Sequence, residues 1–158
     1  FTYAVIASGL GGNRVQVYQT VCEFLIQGWR SLGINLHYGQ AGRGYIHNPN
    51  CFGTATGADL VTPEGFKLIG SAQLYRGKAV LQHGSMRLQP DPNLFQQVFG
   101  LESPIPPPAI VAAASWSWET MMEAFIEAAQ QCFDCTFQMQ PLSQEERSAV
   151  LARVTPAL

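Results

Sequence analysis

Apolar residues recur along this chain at two spacings, and each change of spacing marks an element boundary. In "FTYAVIA" they alternate and are rich in β-formers, which predicts a strand over Thr2–Ala7. "GLGG" interrupts the alternation, and Asn13 is a residue type that caps helices. Beyond it Val17, Val21, Phe24, Leu25 and Trp29 recur at helical steps, so a helix is expected to about Leu32, stopped by Gly33. "INLHY" predicts a second strand. Gly39–Gly57 is a long glycine-rich stretch without periodicity, of the kind that carries function in compact domains.

The runs "ADLVT", "FKLIGSAQLY" and "AVLQHGSMRL" are separated by the turn formers "PEG" and "RGK", which predicts a β-meander. "DPNLFQQVF" is expected as a short helix and the proline-rich "SPIPPPAIV" as an extended crossing. "SWSWETMMEAFIEAAQQCF" is expected as a helix capped by Ser115 or Ser117, with Glu119 in its first turn. "TFQMQPL" predicts a strand with Cys135, Phe137 and Met139 on one face. In "SQEERSAVLARV", Ser143 and Glu146 form a capping box ahead of a final amphipathic helix. This order implies one α+β domain over residues 1–158, a mixed and largely antiparallel sheet with flanking helices.

Composition narrows the function. Of 158 residues 47% are hydrophobic and 13% charged, which is a folded domain rather than a disordered one. A net charge of −2 offers a nucleic acid no attraction, and no apolar run is long enough for a bilayer, so neither partner is expected. The opening has no basic start of a signal peptide, and the four cysteines read as reduced thiols, so a cytoplasmic location is expected. The chain lacks an initiator Met and is expected to begin inside a larger domain.

Several residues stand out for chemistry. Cys51 lies among Gly, Asn and Pro rather than on an apolar stripe, so packing explains it poorly and a nucleophilic thiolate is the alternative. Lys67 alone reads as a solvent-facing strand lysine. The adjoining Gly70-Ser71-Ala72-Gln73, however, would let a ligand approach both its ammonium and the backbone. His83, before Gly84 and Ser85, reads first as a hydrogen-bonded structural residue and second as a substrate contact. Cys132-x-x-Cys135 has no second ligand pair at metal spacing, so both thiols are expected in the core and no metal is expected. "GRGYIH", Gly42–His47, has the glycines of a phosphate loop but neither its Lys-Ser/Thr nor a following helix.

The segment Lys67-Leu-Ile-Gly-Ser-Ala-Gln73 followed by Gln82-His83-Gly84-Ser85 resembles the lipoate-protein ligase A and octanoyltransferase family, the biotin/lipoate A/B protein ligases. These carry K-h-x-G-S-A-Q and then L-Q-H-G-S/T, and the resemblance extends from the strand at Phe1 to "PLSQEE". Asn50-Cys51-Phe52 is similar to the segment in which one octanoyltransferase subgroup carries its catalytic cysteine. The resemblance implies that Cys51 takes an octanoyl group from octanoyl-acyl carrier protein as a thioester. A lysine of a lipoyl domain, or of the glycine cleavage H protein, would then receive it. Lys67 would contact the acyl carbonyl as a catalytic group. Gly70, Ser71, Ala72, Gln73, His83 and Gly84 would line the substrate pocket, and Asp59 is added to that set. The family's R-R-x-T-G-G-x-x-x-x-H loop has no counterpart here, so a catalytic domain without its N-terminal part is implied.

A thioester exchanges with another thiol without activation, so no cofactor is expected. ATP and magnesium would be needed only by the alternative, an ATP-dependent lipoate ligase. A second alternative moves octanoyl or lipoyl groups between lipoyl domains, and a third is a non-catalytic carrier-binding module. Biotin ligation fits less well, because the lysine motif is of the lipoate type.

Overall fold

The computed structural model describes residues 1–40 and 54–154. Among them the strands are β1 (Thr2–Ser8), β2 (His37–Tyr38), β3 (Asp59–Val61), β4 (Lys67–Arg76) and β5 (Ala79–Met86). The helices are α1 (Arg14–Ser31), α2 (Pro92–Phe99), α3 (Pro108–Ala113), α4 (Trp118–Phe133) and α5 (Gln144–Val154). The strands form one sheet in the order β1-β5-β4-β3-β2, each neighbour antiparallel. The α+β class and the meander are therefore as the periodicity predicts.

Helix α1 supplies much of the core. Asn13 caps it through a capping box with Gln16, whose side chain returns to the Asn13 amide. Its stripe of Val17, Val21, Phe24, Leu25 and Trp29 is buried as expected, and Leu25 and Trp29 are completely enclosed. Helix α4 lies across α1, with the Phe125 ring edge-on to Trp29 at 5.5 Å. Gly28 makes that crossing possible, because a Cβ there would run into the Phe125 ring.

Five expectations are corrected. Only His37–Tyr38 of "INLHY" pairs as strand, since the Ile34 amide is tied back to Trp29 O at the end of α1. The proline-rich crossing ends as helix α3, with proline at its first position, where a missing N–H costs nothing; Ile110 and Ala113 are buried there. "TFQMQPL" forms no strand. Asp134 closes α4 in the left-handed region with φ 47°, and alternation without a neighbouring strand leaves Phe137 and Met139 exposed. Cys135 is consequently exposed and Cys132 half-buried, so the pair is not the core pair that the spacing predicts. Finally, α5 has its Ser143–Glu146 capping box, but Val150, Leu151 and Val154 are exposed and none of its residues is buried.

Gly28→Ala tests the helix crossing. Ala is favoured over Gly inside a helix by about 1 kcal/mol, whereas overpacking a core contact typically costs about 1–3 kcal/mol. The steric term should win, and the midpoint of urea unfolding should fall.

Candidate functional site

The candidate residues lie on β3, β4 and β5 and on the segment leading into β3. Asp59 and Lys67 form an ion pair of 3.0 Å, with 5% and 9% of their side chains exposed. A register shift between Leu60 and Val61 sets Lys67 opposite Val61 and so turns its ammonium toward Asp59. The second carboxylate oxygen of Asp59 accepts from the Thr56 amide at 2.7 Å and the Thr56 hydroxyl at 2.9 Å. Lys67 Nζ also donates to Thr54 O at 3.2 Å. Lys67 is therefore not a solvent-facing lysine, and the low stability cost expected of an exposed strand residue does not apply to it. Both charges are desolvated, and the geometry compensates them with a partner and with hydrogen bonds.

The register divides the motif residues between two faces of the sheet. Ser71 pairs with Gly84 and Gln73 with Gln82, and Tyr3 of β1 lies opposite Gly84. These residues share the face covered by α1. Gly70, Ala72, His83 and Ser85 occupy the alternate positions, and His83 is exposed there. Gly84 is required sterically, because a Cβ would stand 2.6 Å from the Tyr3 ring, 2.7 Å from Gly70 O and 2.9 Å from Ser71 Oγ. The adjacent Ser71 hydroxyl lies 2.7 Å from Tyr3 Oη.

A cleft of about 340 Å³ opens between the first turn of α1, residues 56–58 and β4, lined by Ser71, Ala72 and Gln73 among others. Arg14 borders it, its guanidinium 5.5 Å from the centre of the Tyr75 ring. A larger groove of about 680 Å³ runs between β1, α1 and α4. It is the roomier space, but its lining includes none of the candidate residues, whereas Ser71, Ala72 and Gln73 line the cleft.

Three side chains were not singled out by sequence. Gln82 is completely buried; it donates to Tyr3 Oη at 3.0 Å and to Cys22 Sγ at 2.9 Å. Burial, followed by the neighbouring Cys22, pushes the Tyr3 phenol up to about 12. Burial likewise raises the Cys22 thiol, which stays protonated at neutral pH. Alternation places Tyr3 and Gln82 on one sheet face only once the register is known, so no local signal could have joined them. Cys51 and the "GRGYIH" segment lie outside the described residues. Among the described residues no three metal-ligating side chains converge, and no helix is long and apolar enough to cross a membrane.

Asp59→Asn removes the charge opposite a buried ammonium, and breaking one side of such a pair costs about 3–5 kcal/mol. Lys67→Met leaves the Asp59 carboxylate its Thr56 donors and should cost less. Chemical denaturation of the two variants gives the order directly, and equal costs would contradict this account of the pair.

Comparison with known proteins bears on the family and the fold. Residues 1–91 match the family model described as the biotin/lipoate A/B protein ligase family. Octanoyltransferase LipM of Kyrpidia tusciae is 36% identical over 101 residues, covering 58% of this chain and 36% of that protein. The Bacillus subtilis enzyme of the same name is 30% identical over 109 residues, covering 62% of this chain and 39% of its own length. The chain thus spans well under half the length of these curated relatives. Among solved structures, protein Ta0514 of T. acidophilum with bound lipoic acid superposes with a TM-score of 0.74 at 20% identity, covering 96% of this chain and 58% of that one. Lipoate-protein ligase A bound with ATP gives 0.70 at 19% identity, covering the same 96% and 58%. At those identities the superpositions establish the fold. With the family match covering more than half of its residues, this chain belongs to the biotin/lipoate A/B protein ligase family.

Proposed function

We propose that this chain is part of an octanoyltransferase of protein lipoylation that works through a thioester on Cys51. The observation that carries the proposal is the likeness to octanoyltransferases named LipM, at up to 36% identity, against about 20% for the lipoate ligase structures. In the first step the Cys51 thiolate attacks the carbonyl carbon of an octanoyl thioester on acyl carrier protein. A new C–S bond forms, the donor C–S bond breaks, and the carrier thiol leaves with a proton. In the second step the amine of a lipoyl-domain lysine, or of the glycine cleavage H protein, attacks the same carbon. The C–N bond forms, the amine loses its proton, and Cys51 is released.

Each step passes through an oxyanion, which a fixed positive charge stabilises without reorganisation. Lys67 is the catalytic candidate for that charge. Thr54, whose carbonyl Lys67 holds, follows Cys51 by only three residues along the chain. Asp59 keeps the ammonium oriented on the sheet face that carries Gly70, Ala72 and His83, and Gly70 and Ala72 leave that face without bulky side chains, so that an acyl chain can lie against it. Ser71, Gln73 and Gly84, on the face covered by α1, support those strands from beneath. Since a thioester already carries the activation, the reaction needs neither ATP nor a metal.

Intact-protein mass spectrometry of the full-length protein, incubated with octanoyl-acyl carrier protein and no ATP, should show the gain of one octanoyl group. Cys51→Ser should lose both that adduct and transfer to a lipoyl domain while melting at the same temperature. Wild-type transfer by Cys51→Ser would refute the covalent route, and a strict requirement for ATP would favour the ligase reaction.

A further inference from the structure

Both hydrogen bonds of the Thr56 hydroxyl have a fixed direction. A carboxylate only accepts, so the hydroxyl donates to Asp59 Oδ2 at 2.9 Å. A backbone amide only donates, so the Ala58 amide gives its proton to the same hydroxyl oxygen at 3.2 Å. The Thr56 amide adds a second donor to Asp59 Oδ2 at 2.7 Å. That oxygen is thereby engaged twice, and it is Oδ1 that faces Lys67 Nζ at 3.0 Å. The turn is closed without the hydroxyl, because the Asp59 amide donates back to Thr56 O at 3.0 Å. What the hydroxyl adds is the orientation of the carboxylate, whose terminal torsion is otherwise soft.

Lys67 depends on the same few residues. Its ammonium holds Asp59 Oδ1 at the start of β3 and Thr54 O just before that strand. A carboxylate free to turn would draw the ammonium with it, and a catalytic group misplaced by about 1 Å can cost on the order of 10²-fold in rate. We propose that Thr56 is a positioning residue for the reaction: its hydroxyl fixes which oxygen of Asp59 faces Lys67, and so where the positive charge stands when the oxyanion forms. This rests on the acyl-transfer function above and adds to it the residue that places the charge. Thr56 acts through Asp59 and Lys67. It transfers no proton and forms no bond to the acyl group.

The test uses the full-length protein and two measurements. Steady-state transfer from octanoyl-acyl carrier protein to a lipoyl domain, without ATP, gives kcat and KM. Labelling with acetic anhydride, read by peptide mass spectrometry, gives the rate at Lys67 relative to Lys78, an exposed lysine in the turn between β4 and β5. Thr56→Val keeps the branched shape and removes the hydroxyl. It should lower kcat about 10-fold or more, the lower end for a hydrogen bond to a charged group, with KM for the carrier within about twofold of wild type. Labelling of Lys67 should rise several-fold relative to Lys78. Thr56→Ser, which restores the hydroxyl, should return both values to near wild type. If Thr56→Val does not fold, Thr56→Ala takes its place in the comparison with Thr56→Ser. A rise in KM with kcat unchanged makes Thr56 part of the cleft wall and overturns the positioning role. So does a Thr56→Ser variant as slow as Thr56→Val, or labelling of Lys67 that loss of the hydroxyl leaves unchanged. If wild type transfers only with ATP, the thioester reading falls, and kcat of that reaction still decides the role of Thr56. If wild type transfers nothing, both fall.

Discussion

The register of β4 against β5 is the constraint on which the site depends. Ser71 faces Gly84 and Gln73 faces Gln82, so the polar side chains of the two strands meet on the covered face rather than in solvent. A shift of one residue would turn Gln82 outward and Leu81 inward, and the hydrogen bonds that link Tyr75, Gln73, Gln82, Tyr3 and Ser71 would be lost together. Gln82 is the keystone because it has no exposed surface: its oxygen and its nitrogen each find a partner, and either one left unpaired would carry the cost of a buried polar group. The all-or-none character of that satisfaction penalises alternative registers, where an apolar pair would tolerate slippage.

Charge is handled by the same logic on the other side of residues 54–58. Lys67 and Asp59 are buried, and each has a second partner in Thr54 or Thr56. A buried ion pair contributes little net stability, because desolvation offsets attraction. What it does supply is direction, since an ammonium held at 3.0 Å from one carboxylate oxygen cannot wander. A preorganised charge of this kind stabilises a developing negative charge better than a mobile lysine, which would have to reorganise during the reaction.

Much of the fold was legible from periodicity alone. The strand at Thr2, the capping of α1 by Asn13 and the three strands of the meander all follow from local spacing, and the structure has each of them. Expectations failed where a neighbour decides the outcome. "TFQMQPL" alternates like a strand but finds no edge to pair with, while Pro108–Ala113 becomes helical because Ile110 and Ala113 reach the core. The site divides in the same way. Lys67, Asp59 and the Gly70–Gln73 segment were visible as residue types. The burial of Lys67 depends on the register shift at Leu60–Val61, and Tyr3 joins the site only through a contact with Ser71 at a sequence separation of 68. No local pattern carries contacts of that separation.

Both polar systems end on one short segment. Asp59 holds the Thr56 amide and hydroxyl, Lys67 holds Thr54 O, and Tyr18 of α1 holds Ala58 O. Three elements thus fasten five residues that have little apolar surface to anchor them. Residues 56–58 of this segment form one wall of the cleft, and the segment directly follows the stretch that contains Cys51. Hydrogen bonds suit that task better than packing, because they hold backbone atoms at set distances and leave the volume in front of them empty. Large side chains would stabilise the same segment only by filling the space that a ligand needs. The small residues of β4 and the polar residues beneath them are therefore two parts of one solution, an open cleft with a rigid wall.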